Sequence, residues 1–186
     1  IGSIDVINNF PYKDIRDYYH KWYRPDLQGI VIVGDIDVDA VEAKLKTIFA
    51  DVQKAVNPAE RVYYPVADNK EPIVAIGTDK EVDDPSIEVY FKQDATPDSE
   101  KNNVGYLASQ YMTSMITSML NARLSELTQS ANPPFTRAYS SYGNFFVAKT
   151  KEALNLSASS KADGIEKALK VLLQEAERAR RFGFTE

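Results

Sequence analysis

The sequence predicts an α+β protein with helices packed on largely antiparallel sheets. Three observations predict it. Apolar residues recur every three or four positions in some segments and alternate in others. These segments follow the order α-β-α, an irregular connector, then β-β-α-β-β-α. Finally, 186 residues of which 44% are hydrophobic and 26% charged can bury a core.

From Pro11 to Tyr23 the residues Ile15, Tyr18, Tyr19, Trp22 and Tyr23 trace one face of an amphipathic helix, with proline suited to its first turn. Arg24-Pro25-Asp26 ends it, and Gly29 to Gly34 (GIVIVG) reads as a short buried strand bounded by glycine. Asp37 is placed to cap a second helix, about Val38 to Ala50, whose inner face is Val38, Val41, Leu45, Ile48 and Phe49. Between Asp51 and Pro72 the periodicity is lost, and Pro58 and Pro65 mark an extended connector. The domain organisation read from this is 1–52, a connector over 53–71, and 72–186.

Ile73 to Thr78 (IVAIGT) and Ile87 to Gln93 (IEVYFKQ) read as strands, joined by a turn at Asp83-Asp84-Pro85-Ser86. A long helix follows Pro97-Asp98-Ser99 and runs to about Gln129. Its apolar positions, from Val104 through Leu107, Tyr111, Met115 and Leu120 to Leu127, cover so wide a face that the helix is expected to be central. Asn132-Pro133-Pro134 stops it. Strands at Thr136 to Ala148 and Ala153 to Ser159 then form a hairpin across Lys149-Thr150-Lys151. Asp163 is expected to cap a last helix with core residues Ile165, Leu169 and Leu172 or Leu173, which ends in Arg178, Arg180 and Arg181 before Gly183.

A formal charge of −5 gives no electrostatic reason to bind nucleic acid or an anionic membrane. With no cysteine there is no disulfide, thiolate ligand or thiol nucleophile, and the compartment stays open between periplasm and cytoplasm. No apolar run reaches the roughly 18 residues that a membrane-spanning helix needs. Ile1-Gly2-Ser3 at one end and Thr185-Glu186 at the other, the latter reading as the opening of another helix, suggest a piece of a longer protein.

Residues 10–52 carry a specific pattern: an aromatic helix ending in Tyr23-Arg24-Pro25-Asp26, a segment closing in Val33-Gly34-Asp35-Ile36-Asp37, and a helix ending at Phe49. This resembles the start of the C-terminal half of an M16 (pitrilysin-like, inverzincin) zinc peptidase domain. Asn121-Ala122-Arg123-Leu124, Asn132-Pro133-Pro134-Phe135 and the stretch from Glu177-Arg178 to Phe184-Thr185-Glu186 resemble the first part of the family's next homologous domain. The resemblance implies a LuxS/MPP-like metallohydrolase fold. It also implies that 1–52 closes one M16-like domain and 72–186 opens another. Peptide substrate and the remaining domains of a parent chain are the partners it implies.

Members of that family are similar in holding zinc with an H-x-x-E-H helix and a distant glutamate, the glutamate within the motif acting as general base. This chain has one histidine, His20, so the motif is expected upstream, with zinc in the parent and no catalytic, cofactor-binding or metal residue here. His20 with Asp17 falls short of the three protein ligands of a catalytic zinc. Asp35 and Asp37 are read as turn and cap residues rather than an acid/base pair, and Asp83-Asp84 likewise. The Arg178, Arg180, Arg181 turn is assigned to the helix dipole, and Met112, Met115 and Met119 to core filling. Arg137, Tyr139 and Tyr142 could line a peptide-facing wall, though sheet packing explains them equally. The expected function is a non-catalytic segment of a zinc metalloendopeptidase, contributing scaffold and substrate-chamber wall. The alternative is an M16-like structural or assembly subunit without activity.

Overall fold

The computed structural model describes residues 2–82 and 84–184. It divides into two units, with the boundary between Val62 and Tyr63. The expected α+β architecture is present: five helices and a three-stranded antiparallel sheet among the described residues.

The first unit holds α1 (Ile4–Asn9), α2 (Tyr12–Trp22) and α3 (Val38–Ile48). The short α1, which no periodicity announces, is capped by Ser3, whose hydroxyl accepts from the Val6 amide at 3.3 Å. Asp37 caps α3 as expected, accepting from the Ala40 amide at 3.0 Å. The strand expected at Gly29 to Gly34 does not form. That segment is irregular, with Val31 86% and Val33 90% exposed, because a strand needs a ladder partner and this unit contains none among its described residues. The one buried residue among its described residues is Arg24, which donates to the Ala59 carbonyl at 2.7 Å and pairs with Asp26.

The second unit carries β1 (Ser86–Asp94), α4 (Val104–Thr128), β2 (Arg137–Asn144), β3 (Lys151–Ser159) and α5 (Ile165–Phe182). The sheet order is β1-β3-β2, so the predicted β2–β3 hairpin forms and β3 is central. Register places Val89 and Ser140 on either side of Leu156. Leu156 and Ala158 meet Leu120 and Leu124 of α4, Ala168 and Leu172 of α5, and Phe135 in one buried cluster. The alternation of Leu154, Leu156 and Ala158 therefore marks the core face.

Four expectations in this unit are corrected. Ile73 to Thr78 is irregular, unpaired and exposed, for the same want of a partner strand. β2 ends at Asn144 rather than Ala148, where the chain turns through Phe146 at φ +52 and Ala148 donates to the Phe145 carbonyl. α4 starts at Val104 behind a short 3₁₀ turn, because Asn103 caps it by accepting from the Tyr106 amide at 2.9 Å. The residue capping α5 is Gly164 and not Asp163, so no side chain closes that turn. Of the expected turn at Asp83-Asp84, Asp83 lies outside the described residues, as do Ile1, Thr185 and Glu186.

Helix α4 departs from its expected central place. Only Leu120 and Leu124 in its C-terminal half are buried, since the sheet is narrow and α5 reaches only one end of it.

Candidate functional site

The motif residues turn out to hold the architecture. Asn121 of α4 donates to the Ser140 carbonyl at 3.0 Å while its amide oxygen accepts from the Ser140 backbone N–H and hydroxyl. One side chain therefore pins the long helix to β2 by satisfying three polar groups in a part-buried place. Two positions on, Arg123 pairs with Glu175 of α5 at 3.3 Å and lies over the Phe184 ring. Phe135, which follows the two prolines, plugs the core.

The richest polar constellation sits where the N-terminal half of α4 faces the open end of the sheet. There Gln93, Tyr142 and Glu152, one from each strand, line a cleft of about 430 Å³ together with Asn103, Tyr106 and Gln110. Glu152 is 7% exposed and accepts from the Tyr142 hydroxyl at 2.7 Å, and Gln93 donates to that same hydroxyl. Burial, followed by the bond to Glu152, pushes the Tyr142 phenol up to about 12, so it remains a neutral donor through the physiological range. The cleft holds no imidazole or thiol. What it does chemically is hydrogen-bond, and its first effect is to tie the three strand ends together.

A second polar knot fixes the approach to the sheet. Lys151 contacts Asp68 at 2.6 Å and Asp94 at 2.7 Å, and those two bonds raise its pKa while lowering that of Asp68. Thr150 donates to the Tyr64 carbonyl and Lys92 to the Ala67 carbonyl. Residues 64–68 are thereby strapped to the second unit.

The residues singled out in the sequence fall as follows. His20 lies exposed on α2 with its ring against Tyr19, while Asp17 is engaged by Lys13. Among the described residues no group of three or more His, Asp or Glu side chains is arranged to hold a metal ion, so zinc does not fit the donors here. Asp37 caps, and Asp35 is exposed on the turn before it. Arg180 and Arg181 both bond Glu177, which holds that carboxyl well down, at about 2, and Arg178 pairs with Glu175. That turn is internally neutralised. Tyr139 and Tyr142 do not share a wall: three residues apart on a strand, they point to opposite faces, Tyr142 into the cleft and Tyr139 with Arg137 to the other side. That was legible from the spacing alone. Met112, Met115 and Met119 were expected in the core and are exposed, because the sheet covers the opposite side of α4.

Comparison with known proteins adds the following. A family model described as the peptidase M16 inactive domain matches residues 9–186. The chain is 30% identical over 131 residues to a probable zinc protease PqqL of Haemophilus influenzae, covering 68% of this chain and 13% of that protein. It is 24% identical over 185 residues to the probable zinc protease PqqL of Escherichia coli, covering 100% of this chain and 19% of that one. The crystal structure of the periplasmic protease PqqL from Escherichia coli superposes with a TM-score of 0.72 at 23% identity, over 100% of this chain and 20% of that one. The chain thus spans less than a fifth of the length of the curated relatives it matches.

Proposed function

Because this chain belongs to the peptidase M16 family and matches its inactive domain over residues 9–186, we propose that it is a non-catalytic segment of a longer zinc-dependent metalloendopeptidase. It contributes scaffold and part of the wall of the chamber in which peptide is held. Residues 1–52 close one M16-like domain, 53–71 connect, and 72–186 open the next.

The observation that carries this reading is the family match, supported by the structural use of the motif residues. Asn121, Arg123 and Phe135 all bond or pack within the chain rather than converging on a reacting centre. For the chamber wall, β1 and β2 each leave one edge without a partner strand among the described residues. Such edges bind extended peptide through backbone hydrogen bonds that demand no particular sequence. Zinc belongs to the parent, where an upstream H-x-x-E-H helix supplies two ligands and the general base.

The test compares this chain with its full-length parent for bound zinc and for cleavage of an unstructured peptide. The expected result is no stoichiometric zinc and no cleavage by the chain, against one zinc and chelator-sensitive cleavage by the parent. One tightly bound zinc in the chain alone, with chelator-sensitive proteolysis, overturns the reading. A parent without zinc or cleavage establishes the alternative, an assembly subunit.

A further inference from the structure

The face that α4 turns to the sheet changes character along its length. From Leu120 onward it is apolar and buried, but in the first half of the helix the same side is formed by Tyr106, Ser109, Gln110 and Thr113, spaced i, i+3, i+4 and i+7. These four line the cleft of about 430 Å³ whose other wall is Gln93, Tyr142 and Glu152. A helix face that packs permanently on its own sheet is apolar, whereas an uncharged polar lining belongs to a surface that hydrogen-bonds something. The whole lining comes from the second unit.

The direction of the hydrogen bonds says what is bound. Gln93 gives an amide N–H to the Tyr142 hydroxyl, and Tyr142 gives its proton to one oxygen of Glu152 at 2.7 Å. Every proton in this relay points toward the carboxylate, so the groups left over are acceptors: the amide oxygen of Gln93 and the second oxygen of Glu152. No donor among the described residues reaches either oxygen, and neither is sealed off. Gln93 and Glu152 are register partners on β1 and β3, which sets the two side chains next to each other. Glu152 is 7% exposed, and a carboxylate so buried ordinarily faces a cation. None of the described residues lining the cleft is Lys, Arg or His. Lys101, which follows Glu100 of the lining, is bonded to Asp98 at 2.8 Å; that bond is the first influence raising its pKa and Glu152 the last.

We propose that this cleft is a subsite for the guanidinium group of an arginine side chain in a bound peptide, its planar N–H fork closing on the free oxygens of Glu152 and Gln93. The proposal rests on the reading of the chain as part of a wall that holds peptide, and adds a side-chain preference to backbone pairing. A guanidinium offers donors only, meets two adjacent acceptors with parallel N–H groups, and brings the positive charge that Glu152 lacks.

The test is binding, with cleavage stopped by a chelator. The full-length parent is titrated with a fluorescent unstructured peptide carrying arginines along its length, and with versions that have citrulline or lysine at the same positions. Citrulline keeps the shape of arginine without its charge. Expected is at least ten-fold tighter binding of the arginine peptide than of either other. Glu152→Gln, which keeps an acceptor for Tyr142, should erase that preference and leave affinity for the citrulline peptide unchanged. Gln110→Lys, which puts the chain's own cation in the cleft, should do the same. Glu126→Gln, which removes the same charge from an exposed position outside the cleft, should leave the preference intact. Equal binding of the arginine and citrulline peptides overturns the proposal, as does lysine matching arginine, since a point charge then suffices. Equal weakening of all three peptides in Glu152→Gln also overturns it and makes the relay a structural tie. So does a Glu126→Gln variant that loses the preference, which makes it an effect of overall charge. Zinc content and peptide cleavage are read on the untreated parent. An active parent without the preference refutes the subsite alone, and a zinc-free, inactive parent with a Glu152-dependent preference refutes the peptidase reading alone.

Discussion

At the residue scale, hydrogen bonds decide more than charges. Replacing Asn121 by alanine strands the Ser140 backbone groups in a part-buried place, and we expect urea denaturation to register a loss of about 1–3 kcal/mol. Tyr142 offers a pH test. Its phenol is raised to about 12 by burial first and by Glu152 second, so its contribution is complete below the ordinary tyrosine range and is lost as pH rises through 12. In Glu152→Gln, tyrosinate absorbance should show Tyr142 ionising at lower pH but still above 10, because burial persists. Glu177 runs the other way. With its folded pKa lowered to about 2 by Arg180 and Arg181, its ion pairs are intact above the ordinary carboxylate range and fail as pH falls toward 2. Carboxyl NMR in a double Arg180→Gln, Arg181→Gln variant should move that midpoint back up toward 4.5. Asp37 as a cap and the neutralised arginine turn were legible in sequence, since both depend on neighbours within four positions. The Gln93–Tyr142–Glu152 relay was not, because its members come from three strands and meet only through the register.

At the element scale, a helix closes its own hydrogen bonds while a strand borrows them. Helices α2 and α3 consequently fall within a residue or two of their predicted spans, as does α4 apart from its first turn. Two segments with equally good strand patterns, GIVIVG and IVAIGT, stay unpaired and exposed. The difference has a mutational signature. Leu124→Ala removes a fully buried side chain from the joint between α4 and the sheet and should cost about 3 kcal/mol. Val31→Ser and Ile76→Ser, in segments that bury almost nothing, should each change the stability of this chain by less than about 0.5 kcal/mol. Comparable losses in all three variants would mean that these segments are packed in solution.

At the scale of the whole molecule, the connector is the informative stretch. Its second part, 64–68, is strapped to the sheet by Thr150, Lys92 and Lys151, whereas 53–60 is tied mainly by the bond from Arg24 to Ala59. Limited trypsin digestion should therefore cut first at Lys54 or Arg61 and release the second unit whole; a first cut at Lys70 would show that the strap does not hold. By itself the sequence determined the α+β class, the helices α2 to α5, the β2–β3 hairpin and the family, because each is written in spacing or motif along a continuous stretch. Only the tertiary structure decided which strand patterns become strands and which side of α4 is covered. Those outcomes turn on partners distant in the chain, and the pattern of a segment states its need for a partner without saying whether one is there.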